Sequence, residues 1–228
     1  MKLEKITKQS DASRRRYEDA CGTAHALDLI GERWALLIVR ELMFGPKRFS
    51  DIRADLPGIS ANVLTQRLEG LEEFGIIQRR KLPPPASVQV YELTPWGLEA
   101  RPIVESMGRW AIRSPHHDPT MPISVVGLMS SFRTMFSSER AGNMDACIGV
   151  RFGPESFLVR IGRGEIDVTR KEFETADVIF EGTPAGLGGA VYGGQTFDAL
   201  AANRALSVTG NRALAERFLT LFPLPPKA

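Results

Sequence analysis

The sequence predicts an α+β protein in two units: a set of short helices ending in a two-stranded hairpin, then a small antiparallel sheet covered on one side by helices. Three observations predict it. Leucine stripes at helical spacing recur between Gly22 and Glu73. The pattern then switches toward alternation after Gly75, and a proline-rich break, "SPHHDPTMP", precedes a second half rich in Gly, Phe, Val and Thr. A chain of 228 residues is comfortable for two units of ordinary size. The expected division is a flexible tail over 1–16, a first unit over 17–113, a linker over 114–122 and a second unit over 123–228.

Taken in order, a first helix begins after Gly22, with Ala24, Leu27 and Ile30 on one face. "ERWALLIVRELMFG" gives a second, with Trp34, Leu37, Ile38 and Leu42 at helical spacing and Gly45-Pro46 as its stop. "FSDIRADL" is a helix of about two turns, with Ser50 expected as its N-cap and Ile52 and Leu56 turned inward. After the turn "PGIS", Ser60 caps a helix whose stripe is Leu64, Leu68 and Leu71, with Phe74 close behind and Gly75 ending it. "IIQRRKLPPPASVQVYELT" then reads as two strands around a tip where Pro83–Pro85 forbid ladder pairing. Thr94-Pro95 is an N-cap and first-turn pair expected to start one long helix through Arg113. Helix, glycine-containing turn, helix and hairpin, in that order, make a winged helix-turn-helix.

That order gives the exposed residues a meaning. The apolar stripe of the "SANVLTQRLEGLEEF" helix holds it to its own unit, while Asn62, Thr65, Gln66 and Arg67 stand near its start, where a recognition helix meets base edges in the major groove. Arg67 suits guanine, Asn62 and Gln66 suit adenine, and Thr65 suits a thymine methyl or a phosphate. Arg79, Arg80 and Lys81 stand where a wing meets the sugar-phosphate backbone, with Arg48, Ser50 and Ser60 as further backbone contacts. The alternative is a helix-turn-helix used only for protein contacts. Charge leans toward a polyanion: residues 1–113 carry 18 Lys and Arg against 15 Asp and Glu, whereas 114–228 carry 11 against 12.

Composition excludes several classes. The 43% hydrophobic and 25% charged fractions are those of a globular protein, and no run of about 20 apolar residues suggests a membrane span or membrane partner. The basic N-terminus lacks the apolar core of a signal peptide, so cytoplasm is the expected location. Cys21 and Cys147 provide neither a disulfide framework nor metal-ligand spacing. The three histidines form no catalytic constellation, and the glycine turns lack a phosphate-loop lysine. No cofactor, metal or enzymatic activity is expected.

The stretch from Cys21 to Arg113 resembles the HxlR-type winged-helix regulators, relatives of the MarR group. It carries the family's pieces together: a cysteine before the first helix, "IGERW", "RFSDI", "GISANVLTQRLEGLEEFGII", prolines in the wing, "YELTPWG" and a terminal tryptophan. Where the family usually has a glycine and a lysine in "IGERW", this chain has Glu32 and Arg33. The resemblance implies a transcriptional regulator, a homodimer and a palindromic operator of double-stranded DNA, with recognition helices about 34 Å apart. Trp96, Ile103, Met107 and Trp110 on the last helix suit a dimer face, or else packing against the second unit. In several relatives of this kind the equivalent of Cys21 senses oxidants or electrophiles. Here Cys21 is either such a sensor, its thiol aided by Arg14–Arg16, or a small apolar residue packed beneath the first helix.

The second unit opens with a helix, "SVVGLMSSFRTMF", followed by strands in "MDACIGVRF", "ESFLVRIG", "GEIDVTR" and "ADVIFEG". A Thr183-Pro184 helix start, two further helices and a short strand complete it. Looser in its pattern than the first unit, it resembles the sterol-carrier-protein-like (SCP-2-type) lipid-binding fold. That resemblance implies a hydrophobic tunnel, for which Phe132, Met135, Phe136, Phe157, Leu187, Tyr192, Phe197 and Phe218 are the candidate lining, with solid core as the plainer alternative. Together the two units predict a regulator that senses a hydrophobic small molecule. The rival is a lipid carrier retaining a degenerate winged helix as a dimer module.

Overall fold

The computed structural model describes residues 17–83 and 87–228; the expected tail over 1–16 and the wing tip at 84–86 lie outside the described residues. The first unit comprises α1 (Gly22–Ile30), α2 (Ala35–Glu41), α3 (Phe49–Asp55), α4 (Ala61–Glu73), β1 (Ile77–Lys81), β2 (Gln89–Leu93), α5 (Pro95–Leu98) and α6 (Arg101–Ala111). Its core is built from Ile38, Val39 and Leu42 of α2, Ile52 of α3, Leu64, Leu68 and Leu71 of α4, and Ile77, Tyr91 and Leu93 of the hairpin. Ile59, buried in the turn, sets the angle between α3 and α4.

Local chemistry explains the boundaries. Ser60 Oγ accepts the Val63 N–H at 3.3 Å and opens α4. At the other end Gly75, at φ +69°, bonds back to Glu72 O at 2.9 Å, and Ile76 N–H reaches Leu71 O at 2.9 Å. These two bonds are the Schellman pair, with Ile76 and Leu71 both buried against one another's core. The hairpin is antiparallel in the register Ile77↔Leu93, Arg79↔Tyr91 and Lys81↔Gln89. Lys47 extends it by one bridge, exchanging backbone hydrogen bonds of 3.0 and 2.8 Å with Tyr91.

Three expectations need correction here. Ser50 is not the cap of α3: Lys47 is held extended by Tyr91, so the helix starts at once and Arg48 is the cap residue. The Asp51 carboxylate closes that first turn, accepting the Arg48 N–H at 3.4 Å and the Ser50 hydroxyl at 3.0 Å. The helix after Thr94 is broken into α5 and α6. Pro102 is the reason, since it has no N–H for the carbonyl of Leu98 and its ring crowds that carbonyl. Finally, Leu27 and Leu37 face solvent, so the inward sides of α1 and α2 are narrower than their apolar spacing suggests.

Exposed turns over 114–122 lead to α7 (Val125–Met135), α8 (Ser138–Ala141), β3 (Ala146–Phe152), β4 (Glu155–Gly162), β5 (Glu165–Arg170), β6 (Val178–Gly182), α9 (Pro184–Tyr192), α10 (Phe197–Ala202), β7 (Leu206–Gly210) and α11 (Arg212–Leu219). The sheet order is β5-β4-β3-β6-β7. It is mixed rather than wholly antiparallel, because the chain crosses from edge strand β5 past β4 and β3 before entering β6 alongside β3 in parallel. Side chains of Ser124, Ser137, Thr183, Thr196 and Asn211 cap α7 through α11 in turn. Cys147 is half-buried rather than core, one position out of phase with the buried Ala146 and Ile148.

The two units touch along α2 and α6. Phe44 meets Phe157 edge-on, with centroids 5.6 Å apart. Arg133 of α7 pairs with Glu105 of α6 at 3.2 Å, and Arg109 donates to Thr134 O. The C-terminal residues return to the end of α6. There Ala228 N–H meets Arg113 O at 2.9 Å, and the Lys227 ammonium donates to Ile112 O and Ser114 O at 3.1 and 3.0 Å.

Candidate nucleic-acid interface

Helix α4 divides its residues by face. Leu64, Leu68 and Leu71 are buried, and Asn62, Thr65 and Gln66 are exposed with no side-chain hydrogen bond among the described residues. Three uncommitted donor-acceptor side chains therefore lie together on the solvent side of the second helix of the pair. Arg67 does not join them. Its Nε donates to Arg33 O at 3.0 Å and a terminal nitrogen pairs with Glu32 at 2.7 Å, so it turns toward the α1–α2 bend instead of the base-reading face. One residue of helix advances the side chain by about 100°, enough to move Arg67 off the face that Gln66 occupies.

The backbone candidates separate in the same way. Arg48 and Lys81 are exposed and have no ion-pair partner among the described residues. Arg79 is engaged by Glu72 through Nε contacts of 2.9 and 2.7 Å, and Arg80 by Glu92 at 2.9 Å, although both arginines remain about half exposed. Arg79 holds the Glu72 carboxyl below its ordinary value; the Gln78 amide, then Arg80, do the same for Glu92. The Ser50 hydroxyl is taken by Asp51, whereas Ser60 uses only a lone pair for capping and keeps its hydrogen to donate. A shallow concavity on the wing is lined by Arg79, Arg80, Lys81, Ser87 and Gln89.

Lys47, counted in the sequence as part of a basic cluster, is buried and consumed. Its ammonium meets Glu41 at 3.1 Å and also Asp55, and the fully buried Glu41 is completed by Arg40 and by Ser124 Oγ at 2.7 Å. This network escaped the sequence reading because nothing in the spacing of Glu41, Lys47, Asp55 and Ser124 suggests convergence.

Cys21 is exposed at the start of α1, so it does not pack beneath that helix. The amides of Thr23 and Ala24, with the Thr23 hydroxyl, hold its thiol below the ordinary value. Arg14–Arg16, its other expected influence, lie outside the described residues.

The eight candidate tunnel residues are interlocked. Phe132, Met135, Phe157, Leu187, Phe197 and Phe218 are buried in one core, with Phe136 and Tyr192 packed partly against it. Phe132 stacks on Phe222 at 4.6 Å and meets Phe218 edge-on at 5.6 Å. The Ser131 hydroxyl is donated to Leu128 O at 2.7 Å, so Tyr192 donates to Ser131 at 2.8 Å; burial pushes the phenol up to about 12. These residues form solid core in this structure, close-packed as interiors are.

Among the described residues no group of His, Cys, Asp or Glu is arranged to hold a metal ion, and no helix is long and apolar enough to cross a membrane.

A helix-turn-helix, a basic wing and an outward polar face define the class of winged-helix proteins. The model of the HxlR-like helix-turn-helix family matches residues 29–118. The HTH-type transcriptional regulators YvaP and YodB of Bacillus subtilis (strain 168) are each 40% identical over 86 residues. That alignment is 38% of this chain, and 80% and 77% of the respective relatives. The reduced form of YodB, as a solved structure, is 35% identical with a TM-score of 0.39, covering 44% of this chain and all of that one. The chain belongs to the HxlR-like helix-turn-helix family of transcriptional regulators.

Proposed function

We propose that the protein is a dimeric regulator that reads a palindromic operator of double-stranded DNA through α4 and steadies itself with its wing. The observation that carries this reading is the exposed trio Asn62, Thr65 and Gln66, together with the exposed cations Arg48 and Lys81, none of which has a side-chain partner among the described residues. Asn62 and Gln66 match the adenine edge in the major groove; Lys81, Ser60 and Arg48 supply phosphate contacts that carry no sequence information. Arg79 and Arg80 join by exchanging Glu72 and Glu92 for phosphate. Arg67 supports the helix from behind. The exposed stripe Trp96, Ile103, Met107 and Trp110 serves as the dimer face.

The deciding experiment is binding of the full chain to its own upstream DNA across a salt series. Gln66→Ala should weaken binding to the preferred sequence by about 1–3 kcal/mol and relax selectivity there. Lys81→Ala should weaken all sequences alike and lower the salt slope by about one. Weak, equal binding of wild type and both variants to any DNA would sink the reading.

To the second unit, read as sterol-carrier-like from "ADVIFEGTPAGLGGAVYGG", "ALSVTGNRALAERFLTLF" and the strands before them, we assign the response to a hydrophobic small molecule. Because its ring cluster is closed, the ligand must part Phe132, Phe218 and Phe222 to enter. A fluorescent fatty-acyl probe that shows no saturable binding to the full chain would remove this assignment. Cys21 is assigned the role of an accessible thiol sensor, and Cys21→Ser should abolish any operator release by a thiol oxidant. A carrier with a degenerate winged helix is disfavoured, since a face without function has no reason to keep three free polar residues together.

A further inference from the structure

The buried polar network at the junction of the units ends on a residue of the second unit. Glu41 is fully buried and its oxygens are shared out. Oε1 accepts from Arg40, at 3.0 and 2.6 Å, and from the Ser124 hydroxyl at 2.7 Å, while Oε2 accepts from Lys47 at 3.1 Å. Lys47 continues to Asp55 at the end of α3. Ser124 is also the cap of α7, its oxygen accepting the Gly127 N–H at 3.0 Å. One hydroxyl thus starts the first helix of the second unit and completes the charge network beneath the helix-turn-helix. Helix α7 carries Leu128, Met129, Phe132 and Met135 into the second core, so repacking there moves Ser124. A buried carboxylate that loses a donor is costly, and its neighbours must adjust to recover the lost bond.

We propose that Ser124 is the joint through which the second unit sets the position of α3, and with it the α3–α4 pair. The proposal rests on the reading of that pair as the DNA-reading element, and it adds the residue that links the pair to the second unit. Displacement of α7 withdraws the Ser124 hydroxyl from Glu41, Lys47 is drawn toward the Glu41 carboxylate and away from Asp55, and the end of α3 loosens. Sequence separation of 83 residues between Glu41 and Ser124 makes this contact wholly tertiary.

The test is amide hydrogen exchange on the full chain, for Ser124→Ala, Ser124→Thr and Thr183→Ala. Thr183 caps α9 through the Gly186 N–H at 3.0 Å, a loss of the same kind without a link to Glu41. Ser124→Ala should speed exchange over residues 47–55 by roughly three- to tenfold, Ser124→Thr should restore it, and Thr183→Ala should leave it unchanged. No change in Ser124→Ala, or an equal change in Thr183→Ala, overturns the joint. Exchange needs no DNA, so this outcome stands even if the DNA reading fails. In parallel, Ser124→Ala should lower operator affinity by a similar factor. Faster exchange with unaltered operator affinity would overturn its role in regulation, and absence of selective binding by wild type would overturn only the reading beneath it.

Discussion

At the scale of single residues, Arg67 has two claims on it. Guanine recognition asks for a free guanidinium, but Arg67 closes the bend at Trp34, whose left-handed φ of +80° is strained for an indole-bearing residue. Arg67→Ala should therefore lower stability by about 1 kcal/mol, read as a shift in the urea midpoint, and change operator selectivity less than Gln66→Ala does. Equal selectivity losses would return Arg67 to the base-reading face. The wing carboxylates act in the opposite sense. Replacing Glu92 with Gln frees Arg80 for phosphate, so DNA affinity at low salt should rise severalfold and fall more steeply with salt. The same pairs bear on acid stability. Glu72 and Glu92 have folded pKa values below their unfolded ones, so their contribution is complete above the ordinary glutamate value of about 4.3 and is lost as pH falls through the folded values. Thermal unfolding of the Glu72→Gln, Glu92→Gln double variant should accordingly depend less on pH below 4.3 than that of wild type.

Among elements, most of what makes α4 a helix is legible in its own residues: Ser60 as cap, a leucine every three or four positions, and Gly75 where only a residue tolerant of positive φ closes the turn cheaply. Gly75→Ala should cost about 1 kcal/mol. Gly97 is different, since nothing in "YELTPWG" announces that a Cβ there would stand 2.0 Å from Ile76 O. Gly97→Ala must push α5 off the hairpin, and its loss of stability should exceed that of Gly75→Ala in the same denaturant titration. Of the caps of the second unit, Thr183 was likewise readable from its Thr-Pro pair, but the parallel pairing of β3 with β6 was not. Local pattern identifies strands; a crossover of 171–177 decides which strand becomes the neighbour.

For the molecule as a whole, α6 has two faces with separate duties. One packs on α7 through Glu105, Arg109 and the Ile112 that follows the helix, and the other leaves Ile103, Met107 and Trp110 in solvent, Trp110 at 75% exposure, with Trp96 of α5 exposed as well. Packing against the second unit thus occupies one side of the helix, and the proposed dimer face is the other, exposed side. Trp110→Glu should convert a dimer to a monomer in sedimentation at micromolar concentration and weaken operator binding at least tenfold, because two half-sites no longer act together. A wild-type chain that sediments as a monomer would remove the dimer.

The sequence by itself determined most of the elements, the caps of α4, α5 and α9, the winged-helix order, the family, and the exposure of Asn62, Thr65 and Gln66, because each depends on residues within a few turns of one another. Only the tertiary structure decided which charges are free. It assigned Arg67 to Glu32, Lys47 to Glu41 and Asp55, Arg79 and Arg80 to their carboxylates, and Ser124 to Glu41 across the two units. It also turned eight candidate tunnel residues into interlocked core. Pairing and packing are contacts between residues far apart in the chain, and periodicity along one segment carries no information about what stands opposite it.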